Sequence, residues 1–199
     1  MRQVPAELAE RLVPAAVVFA ERGFDDARIE DLTDATGIAS STLYYYFEGK
    51  RDILVFLLDD FVARVATSVA TAARSAGPAR ERLDRVIRTQ LALMAEHPHT
   101  CRVLLAELGR LGRLPDTAKA VNEAFHEPVQ ELLRAGIQDG SLRDLPPETA
   151  ASAIFGAVTV TALHYLVAEQ PLPVDDVANG LLATLAGGYA PAPEKRTTR

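Results

Sequence analysis

A short run of hydroxyl-bearing and aromatic residues is the part of this 199-residue sequence best suited to chemistry. It lies between Gly37 and Leu54 and reads GIASSTLYYYFEGKRDIL. The glycine ends one short helix, and the next helix begins with small polar residues and ends in three tyrosines and a phenylalanine. Small polar side chains at a helix start fit into a DNA groove, and tyrosine hydroxyls one turn later reach phosphates. The pattern predicts a helix-turn-helix that reads DNA.

Three stretches in and around this run carry a resemblance to one family of bacterial regulators. They are AAVVFAERGF (Ala15–Phe24), IEDLTDATGIASSTLYYYF (Ile29–Phe47) and GKRDIL (Gly49–Leu54). In order, spacing and residue type, the first third of the chain resembles the DNA-binding domain of the TetR family of one-component repressors. The resemblance implies an all-α protein in which this domain is followed by a helical domain for ligand binding and dimerisation.

The resemblance also assigns DNA-contacting roles to individual positions. Ser40, Ser41 and Thr42 are expected to lie near base edges. Tyr44, Tyr45 and Lys50 are expected to contact phosphates, and Arg28 is expected to contact a base or a phosphate. The residues that alternate with this set, Leu43, Tyr46 and Phe47, are expected to pack in the core. The alternative for all three tyrosines is simple packing.

Two departures from the family pattern weaken the expected DNA contacts. Ala39 and Ala27 stand where the family usually has a serine or threonine, and no Lys or Arg lies between Ile29 and Gly49. The recognition helix therefore lacks the arginine that pairs with guanine through two hydrogen bonds. Sequence reading is expected to depend on hydroxyls, thymine methyl groups, Arg28 and DNA shape.

The charge of the chain is unusual for a DNA-binding protein. The net charge is −6, and residues 1–52 carry six Lys or Arg against ten Asp or Glu, a balance of −4. Each phosphate neutralised by a protein cation steepens the dependence of log K on log salt by about 0.9. We expect a shallow salt dependence and weak non-specific binding.

The composition favours an all-α protein, the helical spacing of apolar residues predicts about nine helices, and the resemblance implies two domains. The predicted domains are residues 1–49 (core 5–49) for DNA binding and 50–190 for regulation, followed by a disordered tail over 191–199. Pro14 predicts a kink or restart in the first helix, and Pro128 predicts a second kink. N-caps are expected at Asp26 or Ala27 for the second helix and at Ser40 for the third. The single cysteine, Cys101, and the absence of a leader or membrane segment predict a cytoplasmic protein.

The eighth predicted helix, AASAIFGAVTVTALHYLV, is apolar almost all round and must be covered on both sides. Small residues on it and on the next helix would allow close helix approach, which predicts a homodimer. The alternative is a central helix buried within a monomer. The small residues are Ala153, Gly156, Ala157, Thr161, Gly180, Ala183 and Gly187.

The resemblance implies a mostly apolar pocket for a small-molecule effector that changes the separation of two DNA-binding heads. Arg102 beside such a pocket would suit a carboxylate or phosphate, and acyl-thioester ligands are known in related regulators. The apolar candidates could equally be plain core. The candidates are Leu91, Met94, Leu104, Leu105, Phe125, Phe155 and Tyr165, with Gln90, Arg102, His126 and His164 as polar anchors.

Two other classes of function remain as alternatives. An enzyme or metalloprotein could use His97, His99, Cys101 and His126, but their spacing matches no zinc motif and no oxyanion loop accompanies the cysteine. We therefore predict no catalytic residue, metal site or cofactor. The third class is an all-α interaction module whose helix-turn-helix no longer binds DNA, which the acidic head would suit.

Overall fold

The structure is a computed structural model that describes residues 3–108 and 115–189, and every regular element in these ranges is helical. A π-helical turn, Asn122–His126, lies between α8 and α9. The helices are α1 (Ala6–Leu12), α2 (Ala15–Asp26), α3 (Ile29–Thr36), α4 (Ser40–Tyr46), α5 (Lys50–Arg74), α6 (Ala79–Glu96), α7 (Pro98–Leu108), α8 (Pro115–Val121), α9 (Glu127–Gln138), α10 (Pro147–Val167) and α11 (Val174–Tyr189).

The chain divides into two compact units. The first combines residues 1–64 and 96–121, and the second combines residues 65–95 and 122–199. The division falls inside α5, whereas the domains predicted from the sequence meet at residues 49 and 50. The predicted domain boundaries stay a prediction, and the predicted tail, 191–199, lies outside the described residues.

The start of the first unit follows the restart predicted at Pro14. A proline inside a helix removes a backbone donor and clashes with the preceding turn. Accordingly α1 ends at Leu12 and α2 begins at Ala15. Gly23, with φ at 75°, then breaks the last part of α2, a conformation that glycine adopts without a steric penalty.

The two helices of the predicted helix-turn-helix are present, but both predicted N-caps are wrong. Arg28 caps α3 and Ala39 caps α4, and each has an extended backbone and no side-chain cap. At α3 a carboxylate from inside the helix, Asp31, accepts the Arg28 backbone N–H instead. Gly37, with φ at 64°, forms the predicted turn between the helices.

The core of the first unit consists of aliphatic and aromatic side chains that are almost fully buried. Helix α7 packs against α2, and Cys101 on α7 is buried. Side chains of this core include Leu12, Phe19, Leu32, Leu43, Phe47, Ile53, Leu58 and Phe61. These residues hold α3 and α4 in a fixed position, which leaves the outer face of α4 exposed.

In the second unit, α9, the π-helical turn, α10 and α11 pack together. The π-helical turn ends at His126 and α9 begins at Glu127, so the helix changes its geometry just before Pro128, and the kink predicted there stays a prediction. Gly136 allows a close approach on the other side of α9. A Cβ there would lie 2.6 Å from Leu142 Cδ1 and 2.7 Å from Ala79 Cβ, so a side chain cannot be accommodated without movement.

Helix α10 is long and apolar enough to cross a membrane by length and composition, but only 33% of its most apolar stretch is buried. Val160 and Val167 are among the exposed large apolar side chains of the described chain, at 66% and 67%. Isolated exposed apolar residues are common, but a helix without a polar face requires a second covering surface.

Candidate DNA-binding surface and effector site

Helix α4 separates its residues into a buried and an exposed set, as the sequence predicted for most of them. Leu43 and Phe47 are buried, whereas Tyr44 and Tyr45 are 59% and 58% exposed. Tyr46 is half-buried and stands edge-on to Tyr45, with ring centroids 4.9 Å apart. Two tyrosine hydroxyls are thus presented on one short helix, and simple packing does not account for them.

The other predicted base-contacting residues lie at the start of the same helix and at the start of α3. Ser40 and Ser41 are exposed, and Thr42 is half-buried. Arg28 is exposed. Its backbone is fixed by the Asp31 carboxylate at 2.9 Å. These residues have the exposure that DNA contact requires.

Several cations of the head are engaged inside the protein. The Arg11 guanidinium donates to the Gly37 carbonyl at 3.0 Å, and Arg22 pairs with Asp31 at 3.0 Å. Lys50, predicted to contact a phosphate, donates to the backbone carbonyls of two residues at the end of α2. The head therefore uses much of its small positive charge to join its own helices.

The candidate pocket residues divide between the two units. Arg102, Leu104 and Leu105 belong to the first, and the rest belong to the second. His164 is exposed in the single chain, and Tyr165 and Phe155 are half-buried. The buried members of the second unit are Gln90, Leu91, Met94 and Phe125.

In the second unit, besides Arg82 Nε, three buried polar atoms have no hydrogen-bond partner among the described residues. They are Gln90 Oε1, His126 Nδ1 and Thr159 Oγ1. Buried polar atoms are nearly always hydrogen-bonded, so an atom without a partner marks a place where another molecule can bind. Thr159 was missed from the sequence, although it is one of the few polar residues within an otherwise apolar helix.

Aromatic rings surround one of these three atoms. The centroid of the His126 ring lies 5.0 Å from the centroid of the Phe155 ring and 5.8 Å from that of the Phe125 ring. Burial lowers the pKa of His126, so its imidazole is neutral at neutral pH. A neutral imidazole among aromatic rings suits a largely apolar ligand that carries a polar group.

The candidate dimer residues are exposed or half-buried in the single chain. Ala153, Gly180 and Ala183 are exposed, and Gly156, Ala157 and Thr161 are half-buried. A Cβ at Gly156 or Gly180 would meet nothing within 4 Å. The surroundings of Gly187 lie outside the described side chains. These positions have room for a second surface to approach.

The residues of the alternative catalytic reading have unsuitable surroundings. Burial raises the pKa of the Cys101 thiol to about 12, so the thiol is protonated at neutral pH and is a poor nucleophile. Among the described residues no three His, Cys, Asp or Glu side chains form a group that could hold a metal ion.

Comparison with known proteins gives two matches to sequence profiles of domain families. Residues 12–55 match the bacterial regulatory proteins of the tetR family, and residues 76–166 match the tetracyclin repressor-like C-terminal domain. The chain belongs to the TetR family. The resemblance seen in the sequence and the predicted all-α fold are confirmed.

Individual TetR-family proteins match over nearly the whole chain. The fatty acid metabolism regulator protein of Bacillus subtilis is 25% identical over 181 residues, which cover 89% of this chain and 93% of the relative. The solved structure of the ketosteroid transcriptional regulator KstR2 of Mycobacterium tuberculosis is 26% identical, with a TM-score of 0.78. The match covers 96% of this chain and 98% of the KstR2 chain.

A third TetR-family match was solved with a ligand. The transcriptional regulator FadR from Bacillus subtilis, in complex with stearoyl-CoA, is 23% identical, with a TM-score of 0.75. The match covers 90% of this chain and 98% of the FadR chain. The family is one of transcriptional regulators and not of enzymes. The protein is therefore a DNA-binding transcriptional regulator, which confirms this part of the function predicted from the sequence.

Proposed function

We propose that the protein acts as a homodimer that binds a palindromic operator and is released from it by a largely apolar ligand with a polar group. The observation that carries the DNA-binding part is the exposed tyrosine pair on α4, held outward by the buried Leu43 and Phe47. A recognition helix in the major groove gives half-sites about 34–36 Å apart, or somewhat more. Since the chromosome lies in the bacterial cytoplasm, the protein acts there.

In the proposed complex, Ser40, Ser41 and Thr42 face base edges, Tyr44 and Tyr45 donate hydroxyl hydrogens to phosphates, and Arg28 contacts a base or a phosphate. The exposure of Tyr44, Tyr45 and Arg28 supports these roles. Because the recognition helix has no cation, each base pair contributes modest discrimination, and much of the specificity comes from the spacing of two heads.

The proposed dimer is formed by α10 and α11 of two copies. The apolar surface that α10 leaves exposed in one chain supports this, as does the open space above Gly156 and Gly180. A close approach of small residues would let four helices pack together and would cover Val160 and Val167.

The proposed effector site includes the unpartnered atoms of Gln90, His126 and Thr159 in the second unit. Relatives named for fatty acid and ketosteroid regulation suggest ligands with long or polycyclic apolar parts. Such a ligand releases DNA only if it favours a head spacing that the operator does not match. A shift from mostly bound to mostly free requires about 5 kcal/mol of differential affinity.

A gel-shift experiment with DNA from upstream of the protein's own gene tests the operator proposal. The wild type should shift this duplex and leave a scrambled duplex of equal length unbound. Tyr44→Ala/Tyr45→Ala should abolish the shift while far-UV circular dichroism stays unchanged. Sequence-independent binding, or normal binding by the double variant, would contradict the proposal.

Thr159→Val tests the effector site, because valine has nearly the shape of threonine without the hydroxyl. Removing an unpaired buried hydroxyl should leave the melting temperature unchanged or raise it. Stearoyl-CoA and a steroid ketone serve as probes of the two ligand classes. The active probe should release DNA from the wild type and require at least tenfold more ligand with Thr159→Val. Equal sensitivity of both proteins would contradict the assignment.

A further inference from the structure

The side chain of Lys50 ends among groups of its own protein. Its Nζ lies 2.8 Å from the Asp25 carbonyl oxygen and 2.9 Å from the Ala27 carbonyl oxygen. It also lies 4.9 Å from the centre of the Phe24 ring, within the range of a cation–π contact. Two carbonyls and a ring thus surround the ammonium group, and the Lys50 side chain is half-buried.

These contacts join parts of the head that are distant in sequence. Lys50 is the first residue of α5, and its two acceptors lie at the end of α2 and at the junction with α3. The last carbonyls of a helix have no partner within the helix, and the end that carries them is electrically negative. A lysine at this position satisfies both carbonyls and fixes where α3 begins relative to α5.

The same junction carries Arg28, which follows Ala27 directly. Arg28 caps α3, and its side chain is exposed toward solvent. A shift of the junction would therefore move Arg28, and with it the helix-turn-helix, relative to the long helix. Within this junction the Ala27 N–H also donates to the Gly23 carbonyl at 3.2 Å and the Arg28 N–H to the Asp31 carboxylate, so Lys50 adds the contacts that reach α5.

We propose that Lys50 is a positioning residue for DNA binding and is not a phosphate ligand. It holds the junction of α2 and α3 against the start of α5, so that Arg28 and the α4 hydroxyls meet the duplex together. An ammonium group has three N–H donors, and two are used by the carbonyls. The third donor is not used by these contacts, and the salt dependence of DNA binding shows whether it meets a phosphate.

This inference rests on the DNA-binding function, and the dependence of affinity on salt tests it. Each cation that neutralises a phosphate steepens the slope of log K against log salt by about 0.9. A lysine that only positions other groups contributes nothing to this slope. Lys50→Met retains an apolar stem over Phe24 but removes the donors and the charge, and Lys50→Arg restores both.

The DNA is a duplex that the wild type selects from a randomised library. Its affinity is measured from 50 to 300 mM potassium chloride, about a sixfold range that is wide enough to define the slope. Lys50→Met should bind about tenfold more weakly at every salt concentration, with the wild-type slope. Lys50→Arg should recover most of the affinity. A slope lowered by about 0.9 for each head would show a phosphate contact and overturn the proposal. Unchanged affinity of Lys50→Met would also overturn it.

Hydrogen exchange on the free protein gives a readout that does not depend on DNA. In Lys50→Met the backbone amides of residues 24–28 should exchange faster than in the wild type, while those of α7 and α10 keep their protection. Equal protection over residues 24–28 would contradict the positioning role even if the wild type bound no DNA. Arg28→Met serves as the matched control, because its side chain is exposed and takes no part in the contacts of Lys50. It should leave this exchange unchanged.

Discussion

The Asp31 carboxylate accepts the backbone N–H of Arg28 at 2.9 Å, so a residue within α3 caps its own helix. The other carboxylate oxygen pairs with Arg22 at 3.0 Å and joins α3 to α2. Arg28 has a side chain that cannot accept a hydrogen bond, and it can occupy the cap position because Asp31 satisfies its backbone. An exposed cation is thereby fixed at the start of the helix that precedes the recognition helix.

Asp31→Ala should destabilise the protein by about 1 kcal/mol, the usual effect of losing a helix cap. For a chain of this size the melting temperature should fall by about 2–4 °C, measured by circular dichroism. Asp31→Asn is the control, because it keeps an acceptor oxygen and loses only the pair with the exposed Arg22. That pair contributes little. A loss with Asn as large as that with Ala would show that charge pairing, and not capping, is the stabilising interaction.

Tyr45→Phe should weaken operator binding about tenfold for a dimer, since it removes one hydroxyl hydrogen bond to a phosphate in each head. The edge-on contact with Tyr46 is retained, and the melting temperature is measured beside the affinity to separate a loss of stability from a loss of DNA contact. The measurement is a fluorescence-anisotropy titration of a labelled operator. Tyr46→Phe, in which the ring is half-buried, is the control and should bind nearly as well as the wild type. Wild-type affinity of Tyr45→Phe would remove the phosphate role.

Local sequence patterns predicted the order of the helices and several of their breaks. Pro14 acts within one helical turn of itself, so its effect could be read from the chain alone. The N-caps could not be predicted in the same way. Ala39 caps α4 although its side chain cannot accept a hydrogen bond, because its backbone is extended and its carbonyl receives the first helical N–H groups, of Thr42 and Leu43.

The contacts of individual site residues depended on groups far away in the sequence. The partners of Lys50 lie 23 and 25 residues before it, and no spacing rule connects them. The absence of a partner for Thr159 Oγ1 becomes visible only once the helices around it are placed. Residue type predicted the exposed tyrosines, whereas it could not distinguish a cation that meets DNA from one that joins two helices.

Val160→Asp should convert the proposed dimer into a monomer without unfolding it. The side chain is 66% exposed in a single chain, so a carboxylate there remains solvated, whereas in an apolar interface it would be buried without a partner. Light scattering should give half the wild-type mass, with unchanged far-UV circular dichroism. Operator affinity should fall by at least a hundredfold, because the two heads are no longer linked.

The matched control for this variant is Gln138→Asp, which adds the same charge at an exposed position on α9. It should stay dimeric and bind the operator normally. A dimeric Val160→Asp would place the interface elsewhere, and a monomeric wild type would remove the dimer from the proposed function.

His126→Gln should reduce the loss of stability on acidification. Burial lowers the pKa of His126 in the folded protein, whereas the unfolded chain has the usual value of about 6.5. Above this value neither state is protonated at His126, and the residue has no effect on the pH dependence. As the pH falls below about 6.5, the unfolded state binds a proton first, and the folded state loses stability. Urea unfolding at pH 7.5 and 5.5 measures this loss, which should be smaller for His126→Gln than for the wild type. His164→Gln, at an exposed histidine, should behave as the wild type does. The same pH dependence in all three proteins would mean that His126 is not protected from protonation, and its proposed place as a neutral polar group in the effector site would then fail.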